Sequence, residues 1–271
     1  MESIPNHKNI ERFDHKPTFA ELWEMCVYKF LYNERAYCDE LETVFAANGI
    51  TKDSKILDVA AGGGFPSLEL IKRGYNVESS DGFADEVALY NRRATERGLS
   101  SVAKQVLWKD LLSAYESNSY DLILCRGNSF VYALGGWNSD ISIDPATALA
   151  TYAETADIFK KLLRPGGLLY IDKFKDEEHS HRDQVAEITA PGEGKQKLIF
   201  WTERLPEQKI RNASMVREQE DGTILATPNV SYDLTFPELE SSLRSAGFST
   251  VETLALAEDT IFDARLARVK S

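Results

Sequence analysis

Asp58-Val59-Ala60-Ala61-Gly62-Gly63-Gly64-Phe65-Pro66-Ser67 joins a short apolar run, Lys55 to Ala60, to a segment that Pro66 opens as a helix. Glycines at such a turn let a ligand come close to the backbone. Strand, Gly-rich loop and helix in that order begin a βαβ unit, and the chain outward from it keeps the same rhythm. Pro66 to Arg73 reads as the helix, closed by Gly74, and Tyr75 to Ser80 as the next strand. Phe83 to Arg97 reads as helix, Val102 to Trp108 as strand, Tyr120 to Cys125 as strand, and Pro145 to Leu163 as a long helix. The turn Arg164-Pro165-Gly166-Gly167 breaks that helix before a strand from Leu168 to Lys173. Beyond it, Pro237 to Ala246 is a further helix. Thr250 to Leu256 and Ile261 to Val269 are two strands joined too closely for a parallel crossover, so they pair antiparallel.

The expected fold is therefore α/β: a Rossmann-like, seven-stranded, mostly parallel sheet with an antiparallel last strand. Residues 51–175 and 236–271 form the sheet domain. Residues 1–50, helical and aromatic, and residues 176–235, polar with short alternating runs, fall outside the rhythm and are expected as an N-terminal lid and an inserted cap. Ligand in such sheets binds beyond the carboxyl ends of the strands, which directs attention to the loops there.

Composition narrows the partners. With 31 basic against 43 acidic residues the net charge is −12, which offers no footprint for nucleic acid or anionic lipid and favours a small-molecule substrate. The 271 residues, 43% hydrophobic, suffice for a sizeable core. No run approaches the roughly 18 apolar residues of a membrane span, and no apolar signal core opens the chain, so a cytoplasmic location is expected. Cys26, Cys38 and Cys125 are widely spaced, pointing to neither disulfide framework nor zinc site. His179 and His181 lack a third ligand, and no metal is expected.

Asp81, followed by Gly82, ends the second strand 19 positions beyond Gly62, where a carboxylate can accept both hydroxyls of a ribose. A turn former is the competing reading of Asp81-Gly82. Asp110, after the third strand, can accept from the exocyclic amine of adenine, or else cap a helix. Ser67 stands where a dinucleotide fingerprint wants Gly or Ala, which disfavours nicotinamide or flavin.

Together with Gly127-Asn128-Ser129-Phe130 and Arg164-Pro165-Gly166-Gly167-Leu168-Leu169-Tyr170-Ile171-Asp172, these elements resemble class I S-adenosylmethionine-dependent methyltransferases, and more narrowly the glycine/sarcosine N-methyltransferase group. The resemblance covers roughly residues 20–175. It implies that Ala60 and Gly62 meet the cofactor's methionine part through backbone, that Asp81 takes its ribose, that Asp110 and Leu111 hold adenine, and that Gly64 and Gly82 also belong to the cofactor site. It implies a backbone contact from Arg126 near the sulfonium. Tyr28 and Arg35, in the pattern Tyr28-x3-Tyr32-x2-Arg35, would close on the cofactor from the lid, the Arg35 guanidinium pairing with the cofactor's carboxylate. Asn128 matches the residue that orients an amino-acid acceptor. Tyr28, Tyr32 and Tyr132 can cage the sulfonium with ring faces, or simply pack in the core. Trp137, beyond a pair of glycines, is either an aromatic plug or a packed surface turn.

One departure stands out. Phe174 occupies the position where glycine-methylating relatives carry an Arg that clamps the acceptor carboxylate, and a phenyl ring cannot supply those bidentate bonds. Lys173, Lys175 or Arg126 would have to take over the charge. The expected activity is methyl transfer to the nitrogen of a small amine or amino acid, for which no catalytic residue is nominated. Two alternatives remain open: cyclisation of the cofactor itself to azetidine-2-carboxylate and methylthioadenosine, and a non-catalytic cofactor-binding protein. A homo-oligomer is compatible with the sequence, as is a lid acting in cis or in trans.

Overall fold

The computed structural model describes residues 10–26, 32–135, 144–176, 181–257 and 261–271. The chain runs β1 (Ile10–Arg12), α1 (Phe19–Glu24), α2 (Glu34–Ala47), β2 (Lys55–Asp58), α3 (Ser67–Lys72), β3 (Asn76–Asp81), α4 (Ala84–Glu96), β4 (Ala103–Gln105), a single 3-10 turn at Trp108–Asp110, and α5 (Leu111–Ala114). It continues through β5 (Tyr120–Cys125), a 3-10 segment at Ser129–Leu134, α6 (Pro145–Leu162), β6 (Leu163–Phe174), β7 (His181–Ala190), β8 (Gly194–Leu205), β9 (Ile210–Gln219), β10 (Ile224–Thr227), β11 (Val230–Tyr232), α7 (Phe236–Ser245), β12 (Thr250–Leu254) and β13 (Phe262–Arg268).

Seven strands form one sheet in the order β12-β13-β6-β5-β2-β3-β4. The pairs β2–β3, β2–β5, β3–β4 and β5–β6 are parallel, while β13 runs antiparallel to both β6 and β12. This is the sheet expected from the sequence, with its one reversed strand. Helices can cover both faces of such a sheet, so its central strands read as continuous apolar runs, and every residue of β5 is buried. Alternate side chains then go to opposite faces. Ile123 and Cys125 of β5, with Leu169 and Ile171 of β6, join Tyr152, Phe159 and Leu239 of α6 and α7 on one face. Leu122 and Leu124, with Leu168 and Tyr170, join Tyr37, Leu41 and Phe45 of α2 on the other.

Two elements differ from the sequence expectation. The strand expected over Val102 to Trp108 is only Ala103–Gln105, because Trp108 turns inward and its indole N–H donates to the Val59 carbonyl at 2.6 Å. The strand expected from Leu168 begins at Leu163, because Leu163 pairs with Tyr120 and a register shift absorbs the Arg164 to Gly167 turn. There a Cβ on Gly167 would come within 2.9 Å of the Arg164 carbonyl oxygen, so glycine is needed.

The segment between β6 and α7 is a second sheet, β7-β8-β9-β10, with β11 also paired to β9. Its hairpins are antiparallel, and β1 adds to its edge in parallel with β7. Residues 10–50 are thus not wholly helical: their first described residues belong to this sheet. From there α1 crosses to α4, capped by Thr18 and Glu21 in a reciprocal pair of hydrogen bonds. Glu21 takes Arg92 at 2.5 Å, and Trp23 meets Phe200 of β8 edge-on with centroids 5.9 Å apart. The lid segment therefore lies between the second sheet and the Gly-rich edge of the first.

Candidate functional site

The carboxyl ends of β2, β3 and β5 converge on one cavity of about 460 Å³. Its floor is Val59, Ala60 and Gly62, one wall is Asp81, Gly82, Phe83 and Glu86, and Trp23 of α1 reaches it from the lid side. Leu107, Trp108 and Lys109 line the far end, and Ser129, Tyr132, Ala133 and Gly135 line the side formed by the loop after β5.

The loop is held from beneath by Asp58. This buried carboxylate accepts from the Ala60 N–H at 3.1 Å and the Ser67 hydroxyl at 2.5 Å, which explains why a hydroxyl stands where a dinucleotide-binding loop would have a smaller side chain. Burial pushes its carboxyl up to about 6 against those bonds. Asp81 holds the loop from the side: Oδ2 accepts from Gly62 N–H at 3.0 Å and Oδ1 from Phe83 N–H at 2.9 Å. Its carboxyl is raised by burial, less those backbone bonds. Asp81 is thus a pinned acceptor at the cavity wall, in the position expected for a ribose contact.

The glycines divide their work. Gly62 lines the cavity with φ +48°. Gly64 does not line it; at φ +104° it faces α3, and a Cβ there would fall 2.4 Å from Leu68 Cδ1. Its need for glycine is helix packing rather than ligand contact. Gly63 is covered by α1, since a Cβ would meet Glu24 Oε2 at 2.4 Å. Glu24 in turn pairs with Arg93.

Several expected site residues sit elsewhere. Leu111 is fully buried in the core, and Asp110 is exposed, makes no side-chain cap hydrogen bond and does not line the cavity. Trp108 turns inward there, and Leu107, Trp108 and Lys109 line that end of the cavity in place of Asp110 and Leu111. Arg35 is exposed on α2, where its carbonyl accepts from Arg73 at 3.1 Å. The helical register of α2 gives its inward face to Tyr37 and Cys38 instead.

Of the rings expected around the sulfonium, Tyr32 meets a different cation. The Arg126 guanidinium lies 4.3 Å from the Tyr37 ring centroid, 4.9 Å from Phe65 and 5.3 Å from Tyr32. Tyr32 therefore packs on Arg126, and the backbone carbonyl expected near the sulfonium accepts the Ser129 hydroxyl at 2.5 Å. Tyr132 does line the cavity. Tyr28 and Trp137 lie outside the described residues, as does His179. Phe174 is 2% exposed and packs against Phe262 with centroids 4.8 Å apart, so it is core and not an acceptor wall. Lys173 points to the opposite face of β6, where it meets Asp176 at 2.6 Å, and Lys175 lies 3.8 Å from Asp263. Neither replaces the missing Arg. Cys26, Cys38 and Cys125 are all buried free thiols.

Asn128 takes a left-handed conformation, φ 60° and ψ 20°, which asparagine tolerates. Its N–H donates to Asp172 Oδ1 at 2.9 Å, and its Oδ1 accepts from Phe174 N–H at 3.2 Å, fixing the loop to the end of β6.

Other cavity residues were not singled out by sequence. Thr151, Glu154, Thr155 and Ile158 enter from α6 at spacings of three and four, a face readable as a helical stripe only once the cavity is known. Glu86 is a buried carboxyl that burial, with Asp81 and Asp85 nearby, pushes up to about 8. Asn229, between β10 and β11, does not line the cavity but donates to the Tyr132 hydroxyl from behind it, and had no local signal at all. Among the described residues no three His, Cys, Asp or Glu side chains gather as a metal site, and no helix is long and apolar enough to cross a membrane.

Comparison with known proteins agrees with this geometry. The family described as tellurite resistance protein TehB matches residues 27–133, less than half of the chain. A glycine/sarcosine N-methyltransferase of Halorhodospira halochloris is 32% identical over 120 residues, which are 44% of this chain and 40% of that protein. The glycine N-methyltransferase of Mus musculus is 34% identical over 128 residues, 44% of this chain and 39% of that one. The matches thus span about 40% of these relatives' own length. Among solved structures, an S-adenosylmethionine-dependent methyltransferase from Clostridium acetobutylicum aligns over 93% of this chain and 98% of its own, with TM-score 0.66 at 13% identity. The amino pentose methyltransferase CalS10 from Micromonospora echinaspora aligns over 94% and 99%, with TM-score 0.64 at 14% identity. With the fold shared over nearly the whole chain and sequence likeness confined to less than half of it, the chain has the fold of these S-adenosylmethionine-dependent methyltransferases.

Proposed function

We propose that this protein transfers a methyl group from S-adenosylmethionine to the nitrogen of a small amine. The observation that carries this reading is one cavity bounded at one side by the Gly62 loop and Asp81 and at the other by Ser129 and Tyr132, a cofactor side and an acceptor side in one space. The residues present suit the cofactor: Asp81 offers a fixed acceptor for a ribose, and Trp108 an aromatic wall. S-adenosylmethionine supplies an electrophilic methyl on a sulfonium.

When bound, the cofactor would give up its methyl to the amine's lone pair and leave as a neutral thioether, and the ammonium proton would pass to water. No protein base is required, so the chain's work is to hold the amine in line and exclude water. Oligomeric state and cellular location do not bear on that step. Cyclisation of the cofactor rested on aromatic rings around the sulfonium and on Phe174 closing the acceptor site. Tyr32 packs on Arg126 and Phe174 is core, which withdraws two of those supports, while Tyr132 lines the cavity.

The test is mass spectrometry after incubation with S-adenosylmethionine, alone and with a panel of small amines and amino acids. Acceptor-dependent S-adenosylhomocysteine with a methylated product is the expected result. Methylthioadenosine without an acceptor would replace this reading with the cyclase, and unconsumed cofactor throughout would leave a binding protein.

A further inference from the structure

Glu86, in the first turn of α4, lines the cavity and is only 6% exposed. It stands on the inward stripe of that helix, three and four positions before the buried Leu89 and Tyr90, where an apolar side chain is the ordinary occupant. Its carboxyl makes no hydrogen bond or ion pair among the described residues, and the charged groups that act on it are two further acids, Asp81 and Asp85. A carboxyl desolvated without a partner works against folding, so its presence points to a role outside the fold's own packing.

Two carboxyls converge on Gly62. Asp81 Oδ2 accepts its N–H at 3.0 Å, and Glu86 Oε2 would lie 3.6 Å from a Cβ on the same residue, so both reach the cavity floor at one point. They are not alike in chemistry. Asp81 is supplied with two backbone N–H donors, which favour its ionised form, whereas Glu86 has none, and burial with Asp81 and Asp85 nearby holds its carboxyl up at about 8. At neutral pH Glu86 therefore keeps its proton and can donate, beside a carboxylate that only accepts. A hydroxyl is the ligand group that uses both, since its proton goes to the acceptor while its oxygen takes a donor.

We propose that Glu86 is a second ribose contact of the cofactor site, its carboxyl donating a hydrogen bond to one hydroxyl of the sugar that Asp81 holds. The diol is then read by a charged acceptor and a neutral donor set against one glycine. The inference rests on the cofactor reading above, and Glu86 acts in it as a binding residue with no part in the transfer of the methyl group.

The experiment measures binding of S-adenosylhomocysteine, and of its 2′-deoxy and 3′-deoxy analogues, by calorimetry at neutral pH in the wild type, Glu86→Gln and Glu86→Leu, together with the melting temperature of each free protein. Glu86→Leu removes the donor and should weaken S-adenosylhomocysteine about tenfold, the scale of one hydrogen bond, while Glu86→Gln, whose amide still donates, stays within about threefold of the wild type. With the analogue that lacks the contacted hydroxyl, the effect of Glu86→Leu should vanish. Because the carboxyl has no partner in the fold, the melting temperature of Glu86→Leu should equal or exceed that of the wild type, which a merely structural role would not give. Equal affinity in the wild type and Glu86→Leu, Glu86→Gln as weak as Glu86→Leu, an undiminished effect with both deoxy analogues, or a melting temperature that falls with the affinity would overturn the inference. Any of these in a protein that binds S-adenosylhomocysteine sinks this inference alone, whereas a wild type that does not bind it sinks the cofactor reading beneath.

Discussion

Arg126 Nε lies 3.6 Å from Asp172 Oδ2, and the two side chains are 1% and 0% exposed. The same Nε donates to the Tyr37 hydroxyl at 2.6 Å, and Asp172 Oδ1 takes the Asn128 N–H at 2.9 Å, so this pair joins α2, the end of β5 and the end of β6 behind the cavity. Removing one member of a buried pair leaves the other charge uncompensated. Arg126→Leu is expected to cost about 3–5 kcal/mol in urea unfolding, and adding Asp172→Asn should recover part of that loss. A double variant no more stable than the single one would show that the pair is not the source.

Asp81 braces the loop and, on the proposed function, is the ribose contact. Asp81→Asn keeps its shape but replaces one of two accepting oxygens, and the bonds lost are to a charged group, worth about 1.5–3 kcal/mol. S-adenosylmethionine affinity measured by calorimetry should fall at least about tenfold, and a change below about threefold would remove Asp81 from the cofactor's site.

Gly64 and Gly62 should separate stability from binding. Gly64→Ala forces a side chain into φ +104° and against Leu68 Cδ1 at 2.4 Å, whereas a Cβ on Gly62 would meet nothing nearer than Glu86 Oε2 at 3.6 Å. Overpacking costs about 1–3 kcal/mol. The melting temperature of Gly64→Ala should drop by about 4 °C or more, while Gly62→Ala loses cofactor affinity with a smaller drop.

Glu86 gives stability a pH dependence. Its carboxyl is held up at about 8 in the fold against 4.5 when free, mainly by burial, so between those values the folded protein keeps a proton that the unfolded chain releases. Its contribution to stability therefore declines as pH rises from about 4.5 through 8. Glu86→Gln lacks this decline. The variant's melting temperature relative to wild type should increase between about pH 5 and pH 9 by about 4 °C or more, and a constant difference would mean that Glu86 is ionised throughout.

The sequence by itself determined the seven-stranded sheet, its reversed strand, the Gly-rich edge and the place of Asp81, because these follow from local alternation, from glycine at a turn and from spacing along one βαβ unit. Asp110 and Leu111 do not line the cavity, since one inward indole, Trp108, changed which side chains reach it. Only the tertiary structure decided what fills the aromatic cage, because a tyrosine and a phenylalanine attract any cation alike and packing placed Arg126 there. It also decided that residues 10–12 extend a sheet formed more than 170 positions later, and that Asn229 meets Tyr132 across 97 positions of chain. Side-chain partners at such separations leave no periodic trace, since alternation along a strand specifies which face is buried and not which distant residue will stand against it.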